Sequence, residues 1–112
     1  MTIVMRMTWA GVTPEQYDEV RRRTNWVGNP DPGGDVHIAS FDADGTLHCT
    51  DVWASAEAMN TFLEQRIFPT VTDLGISTAP EVEIDDCHEC FVPHLNTITL
   101  PESDRLLAAT PL

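Results

Sequence analysis

TDVWASAEAMNTFLEQRIFPTV, residues 50 to 71, joins the end of a strand to an amphipathic helix. Thr46 to Trp53 reads as the strand. Ser55 stands where a helix N-cap belongs, its side-chain oxygen able to accept from a free backbone N–H of the first turn. Behind it Ala56, Met59, Phe62, Leu63 and Ile67 recur at three- and four-residue spacing, which lays one apolar stripe along a helix. Pro69 lacks an N–H and is expected to end or kink that helix, with a short helical turn continuing to Leu74.

Upstream, Val36 to Phe41 reads as another strand, and DADG between the two carries the Asp44-Gly45 pair of a tight hairpin turn. GNPDPGG, residues 28 to 34, can hold neither helix nor strand. Thr2 to Trp9 alternates Ile3, Met5, Met7 and Trp9 against Arg6 and Thr8, the period of a strand with one buried face. TPEQ follows, with Thr13 as cap, Pro14 at the first helical position and Gln16 closing a capping box, so a helix runs to about Thr24. Tyr17, Val20, Arg21 and Thr24 share one of its faces. Glu81 to Val92 reads as a last strand, Val82 and Ile84 on one side and Glu81, Glu83 and Asp85 on the other. The order strand, helix, strand, strand, helix, strand predicts an α+β, ferredoxin-like βαββαβ domain over residues 1–92 with an antiparallel sheet. Its first and third strands are expected at the centre, parallel to each other, with the fourth beside the first. Residues 93–112 carry three prolines and no clear period, and read as a C-terminal arm or tail that offers Leu106 and Leu107 to a partner subunit.

A chain of 112 residues has room for one domain with a modest core. Six basic against eighteen acidic residues give a formal charge of −12, which repels phosphate backbones and anionic lipid, so neither nucleic acid nor membrane is an expected partner. The absence of a membrane-length apolar run and of a secretion signal predicts a cytoplasmic protein, and three cysteines make a disulfide framework an unsuitable reading.

DDCHECF, residues 85 to 91, has the look of a metal or redox motif. In a strand, however, Cys87 and Cys90 point to opposite faces, a structural zinc site wants four ligands, and no helix follows to activate a thiol. Ordinary buried or rim cysteines and no metal are expected. His88 shares parity with Val82 and Ile84 and would extend an apolar face, either as a general base or as a hydrogen-bonded core histidine. Trp9 and Trp53 end strands thought to be parallel neighbours, so both indoles would sit at one end of the sheet, lining a pocket or filling the core. Trp26, before the loop, is a lid, a dimer contact or an anchor. His37 and His48 lie on strands whose inward face alternation leaves open. Asp51 has the parity of Leu47 and Trp53, a carboxylate on an apolar face that needs Arg6 or a histidine as partner. Arg21, Arg22 and Arg23 read as a solvated face. Nucleotide-binding and hydrolase motifs are absent.

The stretch from Thr50 to Val71 also resembles the third strand and second helix of the antibiotic biosynthesis monooxygenase superfamily, in which a strand ends in Trp, here Trp53, and an amphipathic helix ends near Pro. The resemblance implies a homodimer whose two sheets close a dimeric α+β barrel, and a ligand cleft between sheet and helices. It implies cofactor-free oxygenation of an aromatic or polyketide-type substrate, or ring closure or isomerisation by a His general base; the alternative from another class is a non-catalytic small-ligand carrier. Haem-degrading members carry an Asn on the first strand and a His in the second helix. This chain has Arg6 and Thr8 in the one and Asn60 but no histidine in the other, so haem is not expected; the oxygenation that the resemblance implies requires no flavin or metal, and no cofactor is expected. His88, His37 and Asp51 are the candidate catalytic residues, and Trp9, Trp53, Trp26, Tyr17, Met59 and Phe62 the candidate substrate-binding ones.

Overall fold

The computed structural model describes residues 1 to 94. Of the expected arm, 93 to 112, only Pro93 and His94 fall among them; Leu106 and Leu107 lie outside the described residues. Strands β1 (Ile3–Trp9), β2 (Gly34–Phe41), β3 (Leu47–Trp53) and β4 (Glu81–Asp86) form one sheet in the order β2-β3-β1-β4. Helix α1 (Pro14–Thr24) follows β1, and α2 (Ala56–Phe62), a π-turn (Leu63–Ile67) and α3 (Phe68–Asp73) follow β3. This is the ferredoxin-like α+β fold.

Every adjacent pair of strands is antiparallel, β1 with β3 included, which corrects the expected parallel pairing. The reason is topological. The crossover through α1 makes β1 and β2 parallel, and β3, hairpin partner of β2, lies between them and runs against both. Ile3 therefore faces Trp53 across the ladder and Trp9 faces Leu47, so the two indoles sit at opposite ends of the sheet rather than together.

One sheet face is the core. Ile3, Met5, Met7 and Trp9 are all buried at period two, and Met5 and Met59 are each only 1% exposed. Fully burying a side chain of this size contributes roughly 1.5–3 kcal/mol. The opposite face carries Val4, Val52 and Val36 in register across three strands, with Ile38 58% exposed beside them.

Helix α1 begins as its sequence dictates. Thr13 Oγ1 accepts from the Gln16 N–H, and Gln16 Oε1 accepts from the Thr13 N–H. It ends at Asn25, whose left-handed backbone (φ 55°) lets its N–H reach the Arg21 carbonyl. The triple arginine is not one solvated face: Arg21 is buried and ion-paired to Asp18 at 3.1 Å, while Arg23 bonds Glu19 and Asp73. Arg21 falls on the inward stripe of the helix, and its charge requires a partner there.

The helical run after Ser55 does not end at Pro69. The turn widens first, the Phe68 N–H reaching back five residues to the Leu63 carbonyl. Thr70 Oγ1 then donates to the Arg66 carbonyl, so the helix passes its proline through a π-turn, a known means of absorbing one. At the hairpin, Asp42 Oδ1 accepts from the N–H groups of Asp44 and Thr46, and Gly45 supplies the required positive φ of 80°.

Strand β4 is shorter than its alternation suggested. Its pairing with β1 closes with the Cys87 N–H donating to the Thr2 carbonyl, and beyond that bond His88 has no strand to pair with. Val82 and Ile84 do lie on the helix side, opposite Met7 and Met5, but at the sheet edge they remain 41% and 45% exposed.

Candidate functional site

A cavity of about 220 Å³ lies between the inner sheet face and the helices. Met5, Met7 and Cys49 form its floor, and Val20, Leu63 and Ile67 its roof. The wider helical turn supplies the last two. Trp9 closes one end, its indole N–H held by the Thr78 carbonyl and hydroxyl, both at 3.0 Å. At the other end stands Trp53, its ring 5.2 Å from that of Phe62. Arg66 lies over the Phe62 ring, 4.9 Å from its centroid. Its guanidinium also donates to the Thr24 and Asn29 carbonyls, fixing the segment that carries Trp26.

Polar groups enter this apolar space as one connected chain. The register of β2 shifts between Gly34 and Val36, and that bulge leaves His37 opposite Asp51 on the cavity side. His37 Nδ1–H donates to Asp51 Oδ1 at 2.6 Å, Trp53 Nε1–H donates to Asp51 Oδ2 at 3.2 Å, and Tyr17 O–H donates to His37 Nε2 at 2.6 Å. The direction follows from Asp51: an ionised carboxylate only accepts, so it fixes the proton on Nδ1 and leaves the Nε2 lone pair for Tyr17. Trp26 packs edge-on against both Tyr17 and His37, at 5.9 and 5.3 Å. The His37 side chain is still 34% exposed while that of Asp51 is 11% exposed, so the chain runs from the interior to the mouth.

Burial raises the Tyr17 phenol well above its ordinary value of 10, since an unsolvated phenolate is costly; Asp51 adds to the rise and Arg21 opposes it. Tyr17 is thus a dependable O–H donor. The Cys49 thiol is pushed up to about 12, first by burial and then by Asp51, and is held as a neutral, unreactive group.

The structure brings together Tyr17, Trp26, His37, Asp51, Trp53 and Phe62, with Trp9 at the far end. It does not bring in His88, which lies beyond β4, is exposed and lines no part of the cavity; its parity argument required a strand that stops at Asp86. Met59 is buried in the core without lining the cavity. His48 points to the other sheet face and bonds Asp42 at 2.8 Å, and Arg6 pairs there with Glu83 and Asp85 rather than with Asp51. Sequence reasoning named Tyr17 for packing and substrate binding but not for its link to His37; that hydroxyl partner is 20 residues away, and no local pattern announces it. Among the described residues no group of three or more His, Cys, Asp or Glu side chains could hold a metal ion, and no helix is long and apolar enough to cross a membrane.

Fold and cavity together define a class: a small ferredoxin-like α+β domain with a cavity between sheet and helices, the fold of the antibiotic biosynthesis monooxygenase-like proteins. Among solved structures, SnoaB, a cofactor-independent oxygenase from Streptomyces nogalater, superposes with a TM-score of 0.54 at 24% identity, covering 83% of this chain and 96% of its own. A Caulobacter crescentus protein classed by likeness with the antibiotic biosynthesis monooxygenases gives 0.59 at 20% identity, over 79% and 91%. A Nitrosomonas europaea protein of unknown function gives 0.64 at 12%, over 83% and 95%. Likeness at these identities establishes the fold. No family model and no curated protein matches the sequence.

Proposed function

We propose that the protein is a cofactor-independent oxygenase of hydroxyaryl, polyketide-type compounds, with His37 as its general base. The observation that carries this reading is the hydrogen-bonded chain Asp51–His37–Tyr17 opening into an apolar cavity. Such an arrangement suits one chemical task, making and holding an aryl-oxide or enolate away from water. The substrate hydroxyl takes the place of the Tyr17 O–H at His37 Nε2 and gives up its proton there. Asp51 stabilises the imidazolium, as a carboxylate behind a catalytic imidazole does. Tyr17 turns its O–H to the new oxyanion. Trp53 and Phe62 hold one end of the ring system, and Trp9 the other.

The anion then reduces dioxygen directly. One electron passes from its carbon to dioxygen, the two radicals combine into a C–O bond, and the peroxide takes the proton back from His37. His37 removes the remaining hydrogen from that carbon, the O–O bond breaks, and hydroxide leaves with a proton as water. For 1-naphthol the balance is C10H8O + O2 → C10H6O2 + H2O, one oxygen atom entering the quinone carbonyl and the other being reduced to water.

A second reading shares the first step. Because Tyr17 stays protonated beside Nε2, it would equally support an enolate that is then cyclised or isomerised without oxygen. The valine band and Ile38 on the outer sheet face support a homodimer closed through that face. Three unpaired cysteines support a reducing, cytoplasmic setting.

Dissolved-oxygen uptake and quinone formation with 1-naphthol and 1,3-dihydroxynaphthalene test the proposal. Uptake that falls at least ~100-fold in His37→Asn supports it. Base-dependent exchange of substrate carbon-bound hydrogen with solvent, without oxygen uptake, transfers the site to the cyclase or isomerase reading. Binding with neither leaves a carrier.

A further inference from the structure

Resting on the oxygenase reading of the cavity, we propose that its substrate is an uncharged hydroxyaryl of about two fused rings, and that carboxylated analogues are rejected by Asp31 and Asp35 at the mouth. Two independent features of the cavity carry this, its size and the sign of its charge.

An apolar cavity of about 150 Å³ takes one benzene ring. The ~220 Å³ between Trp9 and Trp53 therefore seats roughly two fused rings. A larger ring system must extend outwards past Trp26 and the segment entering β2. That segment contributes Asp31, partly buried, and Asp35, exposed, and both line the cavity. Asp31 is fixed in place: its Oδ1 accepts from the Gly33 N–H at 2.9 Å. Gly33 in turn packs so closely that an added Cβ would come within 2.8 Å of that of Ala58.

Among the described residues the lining holds three carboxylates, Asp31, Asp35 and Asp51, and no lysine or arginine. Arg21 is near Tyr17 but ion-pairs with Asp18 and does not line the space. Asp51 is already engaged by His37 and Trp53. A carboxylate on the ligand would thus meet like charge at the mouth and again at the base, with His37 as its one cationic candidate. The chain's formal charge of −12 adds to that repulsion. An uncharged naphthol meets none of it and keeps the hydroxyl that His37 and Tyr17 address.

The test is calorimetric titration of the whole protein with 1-naphthol, 1-hydroxy-2-naphthoate and 1-hydroxypyrene under nitrogen, so that binding is read without turnover. The expected result is that 1-naphthol binds at least ~10-fold more tightly than either of the others, a like-charge or excluded-volume penalty of ordinary size. In Asp31→Asn/Asp35→Asn, where asparagine at 31 can still accept from Gly33, the carboxylate should gain at least ~3-fold in affinity. Equal affinity for 1-naphthol and its carboxylate, or a double variant that leaves the carboxylate unchanged, overturns the charge selection while the oxygenase reading stands. Equal or tighter binding of the four-ring 1-hydroxypyrene overturns the size limit. Failure of 1-naphthol to bind overturns both this inference and the site itself.

Discussion

Asp51→Asn isolates the group on which the polar chain depends. The change is nearly isosteric, so packing is preserved and the effect is electronic. In the wild type both carboxylate oxygens accept, Oδ1 from His37 at 2.6 Å and Oδ2 from Trp53 at 3.2 Å. An amide has one acceptor and one donor, so whichever way it is turned it faces one of those two N–H groups with its own N–H. If its oxygen keeps His37, the Trp53 indole is left as a buried, unsatisfied donor, at a cost of about 1–3 kcal/mol. If its oxygen takes Trp53, His37 must move its proton to Nε2 to accept at Nδ1, and the lone pair that serves as base disappears. At ~4 °C per kcal/mol for a domain of this length, the first outcome lowers Tm by roughly 4–12 °C. The second costs less stability but places the proton on the wrong nitrogen, for which a loss of ~10⁴-fold in turnover is the precedent in a hydrolytic triad. Thermal unfolding by circular dichroism and ¹⁵N chemical shifts of the His37 ring separate the two. A variant with wild-type Tm and an unprotonated Nε2 would show that Asp51 does not organise the site.

Alkaline pH should destabilise the fold. The Cys49 thiol, raised from 9.0 to about 12, ionises in the unfolded chain before it does in the native one. Its contribution is complete below pH 9 and is lost as pH rises towards 12, with Tyr17 adding to the same trend; urea midpoints measured across that window check this. Native protein treated with a thiol reagent near pH 8 should modify the accessible Cys87 and Cys90 and spare Cys49. Met59→Ala should cost about 2–5 kcal/mol, because the side chain is 1% exposed, yet leave 1-naphthol affinity within about twofold, because it does not line the cavity; urea unfolding and calorimetry read the two separately. Asp42 is held below the ordinary 3.8, chiefly by the hydrogen bond to His48 and then by the Thr46 N–H. Its contribution is present above that ordinary value and lost as pH falls through the lowered one. His48→Ala should raise the Asp42 midpoint in a carboxyl NMR titration.

Period and punctuation in the sequence were enough for the elements and their order. Ser55, Thr13 with Gln16, and Asp44-Gly45 mark boundaries through hydrogen bonds made within four residues, so their chemistry is legible wherever they stand. The alternation from Ile3 to Trp9 likewise assigned a buried face, and the parity of Asp51 put a carboxylate on it. Relations between distant segments were not legible. Strand direction at β1–β3 comes from the crossover and the hairpin together, and reversing it moved Trp9 and Trp53 to opposite ends of one cavity. His37 was undecided between two faces until the bulge at the start of β2 placed it opposite Asp51. The parity of His88 meant nothing once its strand had stopped at the Cys87–Thr2 bond. Side-chain period is a local property of the backbone, carried by each residue with its neighbours. Which residues share a hydrogen bond across 14 or 20 positions is decided by strand register and helix docking, which only the packed chain possesses.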